Sequence, residues 1–203
     1  LFRKVWGFES LLGHHNTMKK VFIIHGVEGS PNGWWRPWLM WELEKRDIYA
    51  CALPMPAPEN PICSEWVYEI ERQAILNKED EICLVGHSLG WSAILRFLEQ
   101  TSSTNLLGVI LVSSPSEKNK NKKLDSFLEE GFNFEKIKQS SPWFVLIHWD
   151  NDTLVPLQNA EFLSEKLASE LIVIKNGAHL NGSAGWLQLP ECLMALKKMI
   201  END

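Results

Sequence analysis

Six short apolar runs, rich in β-branched and aromatic residues, recur along the chain: KVFIIHG, DIYACAL, EICLVG, LLGVILVSS, WFVLIHW and ELIVIKN. None alternates apolar with polar residues, as a strand with one wet face would. Near-continuous hydrophobicity instead marks strands covered on both faces, as in a parallel sheet. Between the runs, WWRPWLMWELEKR, SEWVYEIERQAIL, SLGWSAILRFLEQ, NAEFLSEKLAS and PECLMALKKMI carry apolar residues at helical spacing, and a serine stands where it can cap the second of these. Strands alternating with helices predict an α/β fold. The expected architecture is a three-layer α/β/α sandwich around a mainly parallel six-stranded sheet with right-handed crossovers.

The chain has 203 residues, the size of one domain with a full core, and shows no internal repeat or dividing linker. Residues 18–203 read as that single domain. The first 17 residues, LFRKVWGFESLLGHHNT, lack the apolar run of a signal peptide and are followed directly by Met18. They read as a non-native leader, and His14 and His15 are set aside with them. A net charge of −6 implies no broad basic face, so neither nucleic acid nor an anionic membrane surface is an expected partner. No stretch approaches the roughly 18 apolar residues of a spanning helix. The four cysteines, Cys51, Cys63, Cys83 and Cys192, form no CxxC pair and no Cys/His cluster at zinc-ligand spacing. They read as free thiols of a cytoplasmic protein, and no metal site is expected.

One strand ends in a distinctive way. EICLVG runs into GHSLG, and an amphipathic helix, WSAILRFLEQ, follows at once. This is G-x-S-x-G in the strand–turn–helix setting that a nucleophile elbow requires. The turn is so sharp that side chains two before and two after Ser88 would collide, so Gly86 and Gly90 stand there. The serine hydroxyl is then held out in a strained backbone conformation, at the N-terminus of a helix that favours developing negative charge. An incidental serine in a tight glycine turn is the plain alternative.

A serine hydroxyl is a weak nucleophile until a base takes its proton. In this architecture the partners follow in the order serine, acid, histidine. Only His179, in KNGAHLNG, lies beyond the last strand. His25 ends the first strand, His87 neighbours Ser88 within the elbow and His148 belongs to a strand. The acid is expected after the preceding strand, where HWDNDTLVP offers Asp152, further into the loop, with Asp150 as the fallback. The expected oxyanion donors are the backbone N–H groups of Leu89, one past the nucleophile, and of Val27 in HGVEGS, where Gly26 and Gly29 allow close approach. A thiol-dependent site on Cys63 lacks a suitably placed histidine.

These residues make a family visible. The chain resembles the small serine hydrolases of the α/β-hydrolase superfamily that include the retinoblastoma-binding serine hydrolase and its bacterial relatives. The likeness runs from about Lys19 to the C-terminus through IIHG, WWRPWL, LPMPAPENP with Trp66 beyond it, VGHSLGWSAILRFLE, ILVSSP, DNDTLVP and the GAH loop. The resemblance implies a minimal hydrolase fold without a large lid, a triad of Ser88, Asp152 and His179, and no cofactor. Three departures stand out. Trp91 follows the second elbow glycine, where the family usually has a small residue. Asn151 precedes Asp152, where an acidic residue is common. No L-x-C-x-E peptide for retinoblastoma-type partners is present, so no protein partner is assigned.

Ten tryptophans is heavy use for a chain of this length. Trp34, Trp38 and Trp41 share a face at helical spacing and are expected to be buried, leaving Trp35 for the rim of the site. Met55, in the proline-rich segment 54–61, is expected to overlook Ser88, and Trp91 to narrow the pocket or pack on a neighbouring helix. An apolar, aromatic pocket suits a short or medium acyl group in an ester or thioester. The expected activity is therefore hydrolysis of a small-molecule ester through an acyl-enzyme. Amidase or peptidase activity with the same triad, or a non-catalytic binding module on the same fold, are the alternatives. The lysine-rich stretch 114–126 reads as a solvated loop or a small flap.

Overall fold

The computed structural model describes residues 17–101, 105–114, 122–176 and 187–201. Residues 1–16, and with them most of the proposed leader, lie outside the described residues. The described part is built from six strands, β1 (Lys19–Ile24), β2 (Tyr49–Ala52), β3 (Glu81–His87), β4 (Leu106–Val112), β5 (Phe144–Trp149) and β6 (Glu170–Ile174). They alternate with α1 (Arg36–Glu44), α2 (Cys63–Leu76), α3 (Leu89–Gln100), α4 (Asp125–Leu128), α5 (Phe134–Ser140), α6 (Leu157–Leu167) and α7 (Pro190–Glu201). Each of the six apolar runs is a strand, and every strand pair is parallel in the order β2-β1-β3-β4-β5-β6.

The near-continuous hydrophobicity of the strands follows from two cores, one on each face. Phe22, Ile24, Leu84, Val109, Leu111 and Leu146 point to one side, where α2 to α6 pack. Val21, Ile23, Cys83, Val85, Ile110 and Ile147 point to the other, with α1 and α7. The central helix α3 buries ten consecutive residues, Leu89–Leu98. Each large apolar side chain buried there contributes about 1.5–3 kcal/mol.

Strand order reverses between β1 and β3. The chain leaves β1 for β2 on one side, then crosses back to β3 on the other. Such a switch point opens a crevice beyond the carboxyl ends of the two strands, where ligands bind in open α/β sheets. Both the loop after β1 and the turn after β3 end there.

Three local expectations are corrected, and one helix, α5, is not among those expected. Trp34 and Trp35 precede α1, which starts at Arg36 with Pro37 in its first turn, and Trp34 has a φ of 57°. Trp34 thus stands outside the helix, and within α1 a different stripe faces the core. The buried stripe is therefore Trp35, Leu39 and Leu43, while Trp41 is 56% exposed. Helix α2 begins one residue earlier than its serine, with Ile62 at the N-cap and no side-chain cap. The polar stretch 114–126 ends in a 3-10 turn, Lys122–Leu124, leading into α4. Its residues 115–121 lie outside the described residues, and with them the flap. Helix α5 has no clear apolar period in the sequence, and it buries one residue, Ile137.

Candidate active site

Ser88 sits between β3 and α3 with φ 52° and ψ −121°, a conformation that costs a non-glycine residue on the order of 1–3 kcal/mol. The surroundings impose it. The Ser88 N–H donates to the Val112 carbonyl at the end of β4 (2.9 Å), and the Trp91 N–H returns to the Ser88 carbonyl (3.2 Å). A Cβ on Gly86 would lie 2.7 Å from the Trp91 backbone nitrogen. One on Gly90 would run into the Ile24 carbonyl and lie 2.8 Å from that of His25. The two glycines therefore do not chiefly avoid each other: Gly86 makes room for the start of α3, and Gly90 for the end of β1. Ser88 is half-buried between the fully buried His87 and Leu89. Leu89, the first residue of α3, has no intrahelical acceptor for its N–H.

The loop after β1 touches the serine. A Cβ on Gly26 would lie 2.8 Å from Ser88 Cβ and 3.1 Å from Ser88 Oγ, so only glycine fits there. Val27 follows directly, half-buried. Its turn closes through the Gly29 N–H donating to the Gly26 carbonyl (3.1 Å). That carbonyl also accepts from His25 Nδ1 (2.8 Å). Burial holds the His25 imidazole below the ordinary histidine range, the Gly26 carbonyl works the other way, and the Arg36 charge reinforces burial. The proline-rich segment roofs this turn. Its Pro58 carbonyl accepts from the Glu28 N–H (2.8 Å), and its Pro56 carbonyl from Trp66 Nε1 (2.7 Å). The Trp66 ring meets the His25 ring edge-on at 5.5 Å.

Asp152 stands on the turn after β5, 6% exposed. One carboxylate oxygen, Oδ1, accepts from the N–H groups of Leu154 (2.9 Å) and Val155 (2.8 Å). The Val155 carbonyl in turn accepts from His148 Nε2 (2.8 Å), so a buried strand histidine braces the turn. Asp150 differs: it is exposed, and its Oδ1 accepts from the Asn176 N–H (2.8 Å). Asp152 is thus buried and held by two backbone N–H groups, whereas Asp150 is exposed. His179 lies within 177–186, outside the described residues.

The expected pocket residues are placed elsewhere. Trp35 and Trp91 are fully buried and Met55 nearly so. Trp35 belongs to the core under α1 and meets His87 edge-on at 6.0 Å. Trp91 packs against Phe132 at 5.2 Å, on the side of α3 that faces the other helices. Met55 joins the same core as Trp91. Trp35 is therefore not a rim residue, Trp91 packs rather than narrowing a pocket, and Met55 faces inward from its loop. Burial also pushes the Cys63 thiol up to about 11 and the Cys83 thiol to about 12, so both stay protonated near neutrality. Two contributors carried no sequence signal: His148, an ordinary strand position, and Arg36, a charged residue in a helical pattern that reads as exposed.

Among the described residues no group of three His, Cys, Asp or Glu is arranged to hold a metal ion, and no helix is long and apolar enough to cross a membrane. The chain is similar to YdeN of Bacillus subtilis (strain 168), 32% identical over 174 residues that cover 85% of this chain and 91% of YdeN. The crystal structure of the ydeN gene product superimposes with a TM-score of 0.84, covering 91% of this chain and all of that one. Serine hydrolase RBBP9 of Rattus norvegicus is 23% identical over 187 residues, 89% of this chain and 95% of that protein. Est1E from Butyrivibrio proteoclasticus, 13% identical, shares the fold with a TM-score of 0.72 over 92% of this chain and 90% of its own. The sheet is that of a minimal α/β-hydrolase fold, and the serine hydrolase family model matches residues 21–198: the chain belongs to the serine hydrolase family.

Proposed function

We propose that the chain hydrolyses carboxylic esters or thioesters of short to medium acyl chains through an acyl-enzyme on Ser88. The observation that carries this reading is the strained Ser88 in contact with Gly26 at the switch point of the sheet. Attack by Ser88 Oγ on the carbonyl carbon passes its proton to His179, and the carbonyl oxygen becomes an oxyanion. The N–H groups of Leu89 and Val27 receive that oxygen, each such donor being worth about 3–4 kcal/mol. His179 then protonates the leaving alcohol or thiol. Water repeats the sequence on the acyl group and frees Ser88.

Asp152 fixes the tautomer of His179 and stabilises the imidazolium. Strand spacing supports this assignment. β4 alone separates β3 from β5, so the turns bearing Ser88 and Asp152 leave strands about 10 Å apart. That is roughly the span of one imidazole with a hydrogen bond at each end. The two N–H groups on Asp152 Oδ1 favour the carboxylate form. Val27, half-buried and apolar, follows directly on the glycine that meets Ser88, which suits a short acyl group. All four cysteines are free thiols, which fits a reducing cytoplasm.

Labelling with a fluorophosphonate probe, alongside hydrolysis of p-nitrophenyl esters of increasing chain length, tests the reading. Label and turnover are expected in the wild type, neither in Ser88→Ala, and loss of turnover in His179→Ala. Folded wild-type protein that takes no label would favour a non-catalytic binding module. A labelled protein that turns over amides in preference to esters would move the substrate class.

A further inference from the structure

Arg36 is 1% exposed, yet no carboxylate pairs with it among the described residues. Its Nε and Nη2 both donate to one acceptor, the Ser30 carbonyl, at 3.0 and 2.7 Å. The guanidinium lies 5.1 Å from the Trp34 ring centroid and 5.9 Å from that of Trp35. Nη1 is buried without a hydrogen-bond partner. Gly33 leaves room for Nη2: a Cβ there would overlap it. A buried, uncompensated cation costs several kcal/mol, and burial brings its pKa down to about 10. Core packing alone would be served better by leucine or methionine.

What the guanidinium holds is the loop beside the nucleophile. Ser30 follows Gly29, whose N–H closes the Gly26–Gly29 turn, and Gly26 is the residue in contact with Ser88. The Ser30 carbonyl also accepts from the Gly33 N–H (3.2 Å), so the guanidinium pins two consecutive turns at their junction. We infer that Arg36 is a positioning residue: by clamping the Ser30 carbonyl beneath Trp34 and Trp35, it fixes the Val27 amide where the oxyanion forms. The inference rests on Ser88 as nucleophile and Val27 as oxyanion donor. Positioning of an oxyanion donor acts on charge that develops in the transition state, so its loss lowers kcat and leaves KM nearly unchanged.

The test is steady-state hydrolysis of a p-nitrophenyl ester by wild type, Arg36→Met, Arg36→Lys, Gly33→Ala and Ser88→Ala, with thermal melts of each. In Arg36→Met, kcat is expected to fall about 10²-fold with KM within threefold, the scale of a donor displaced by about 1 Å. Arg36→Lys, which keeps the charge but not the two-pronged hold, recovers only part of the loss. Gly33→Ala, which pushes the guanidinium without removing it, lowers kcat in the same direction. Folded Arg36→Met with kcat within threefold of wild type, or with KM raised instead, overturns the inference. Full recovery by Arg36→Lys overturns the clamp in favour of charge alone. If Arg36→Met does not fold, Gly33→Ala and Arg36→Lys carry the same comparison. Ser88→Ala separates the two levels: retained hydrolysis in that variant defeats the nucleophile assignment, whereas an inactive Ser88→Ala beside a fully active Arg36→Met defeats only the role of Arg36.

Discussion

Replacing Gly26 with alanine tests the contact on which the site depends. The new methyl would start 2.8 Å from Ser88 Cβ and 3.1 Å from Oγ. Carbon atoms in good contact sit about 3.5–4.0 Å apart, so the loop and the serine must separate by roughly 0.7 Å. Ser88 cannot absorb that movement easily, because its N–H is tied to Val112 and its backbone is already strained. The loop must retreat instead, taking the Val27 amide with it and pulling on the Pro58 bond to Glu28. A misplacement of about 1 Å costs on the order of 10²-fold in rate, so kcat should fall roughly 30- to 100-fold. Overpacking should cost about 1–3 kcal/mol of stability, leaving the protein folded at 25 °C. The assay is the second-order rate of fluorophosphonate labelling, with p-nitrophenyl ester turnover and a thermal melt on the same sample. A folded Gly26→Ala protein labelled at the wild-type rate would show that this loop takes no part in stabilising the adduct, and the oxyanion assignment of Val27 would fall.

Asp152→Asn keeps an oxygen able to accept from Leu154 and Val155 but loses the charge, so kcat should drop about 10³–10⁴-fold with little change in melting temperature. Asp150→Asn should stay within threefold of wild type, since exposed Asp150 only ties the start of the next loop. His25 has a folded-state pKa below its unfolded value, so the unfolded chain binds more protons. Its contribution to stability is intact above about pH 6.5 and is lost as pH falls from there through the folded-state pKa. Urea midpoints at pH 7.5 and 5.5 should therefore differ less in His25→Gln than in wild type. Cys63, its thiol pushed up to about 11, should react slowly with iodoacetamide at pH 7.5, and Cys63→Ser should leave ester turnover unchanged.

The elements legible in the sequence were those fixed by local chemistry. The six strands announce themselves because a parallel sheet buries both faces of its central strands, which keeps most of each run apolar. The elbow announces itself because its glycines answer to backbone collisions next to Ser88 in the chain, although Gly90 proves to clear β1, a partner far away in sequence. Chain order alone offered His179 as the candidate base and two aspartates as candidate acids. What distinguishes Asp152 from Asp150, burial and two backbone N–H groups on Oδ1, depends on how the turn after β5 folds back.

The tryptophans show where reading the sequence stops. Helical spacing buried Trp34, Trp38 and Trp41 on paper, but Trp34 is left-handed and outside the helix, and α1 turns the equally periodic stripe of Trp35, Leu39 and Leu43 to the core instead. Periodicity assumes an uninterrupted helix, and the φ of one residue is set by what it packs against. Arg36 is the limiting case. Composition places a charged residue at the surface, and only the fold brings a carbonyl, two indole rings and a glycine around it at once. The sequence by itself determined the strands and the strained serine turn between β3 and α3, because those follow from neighbours along the chain. The tertiary structure alone decided which aspartate, which tryptophan and which cation are buried, because those depend on contacts between segments that the chain keeps far apart.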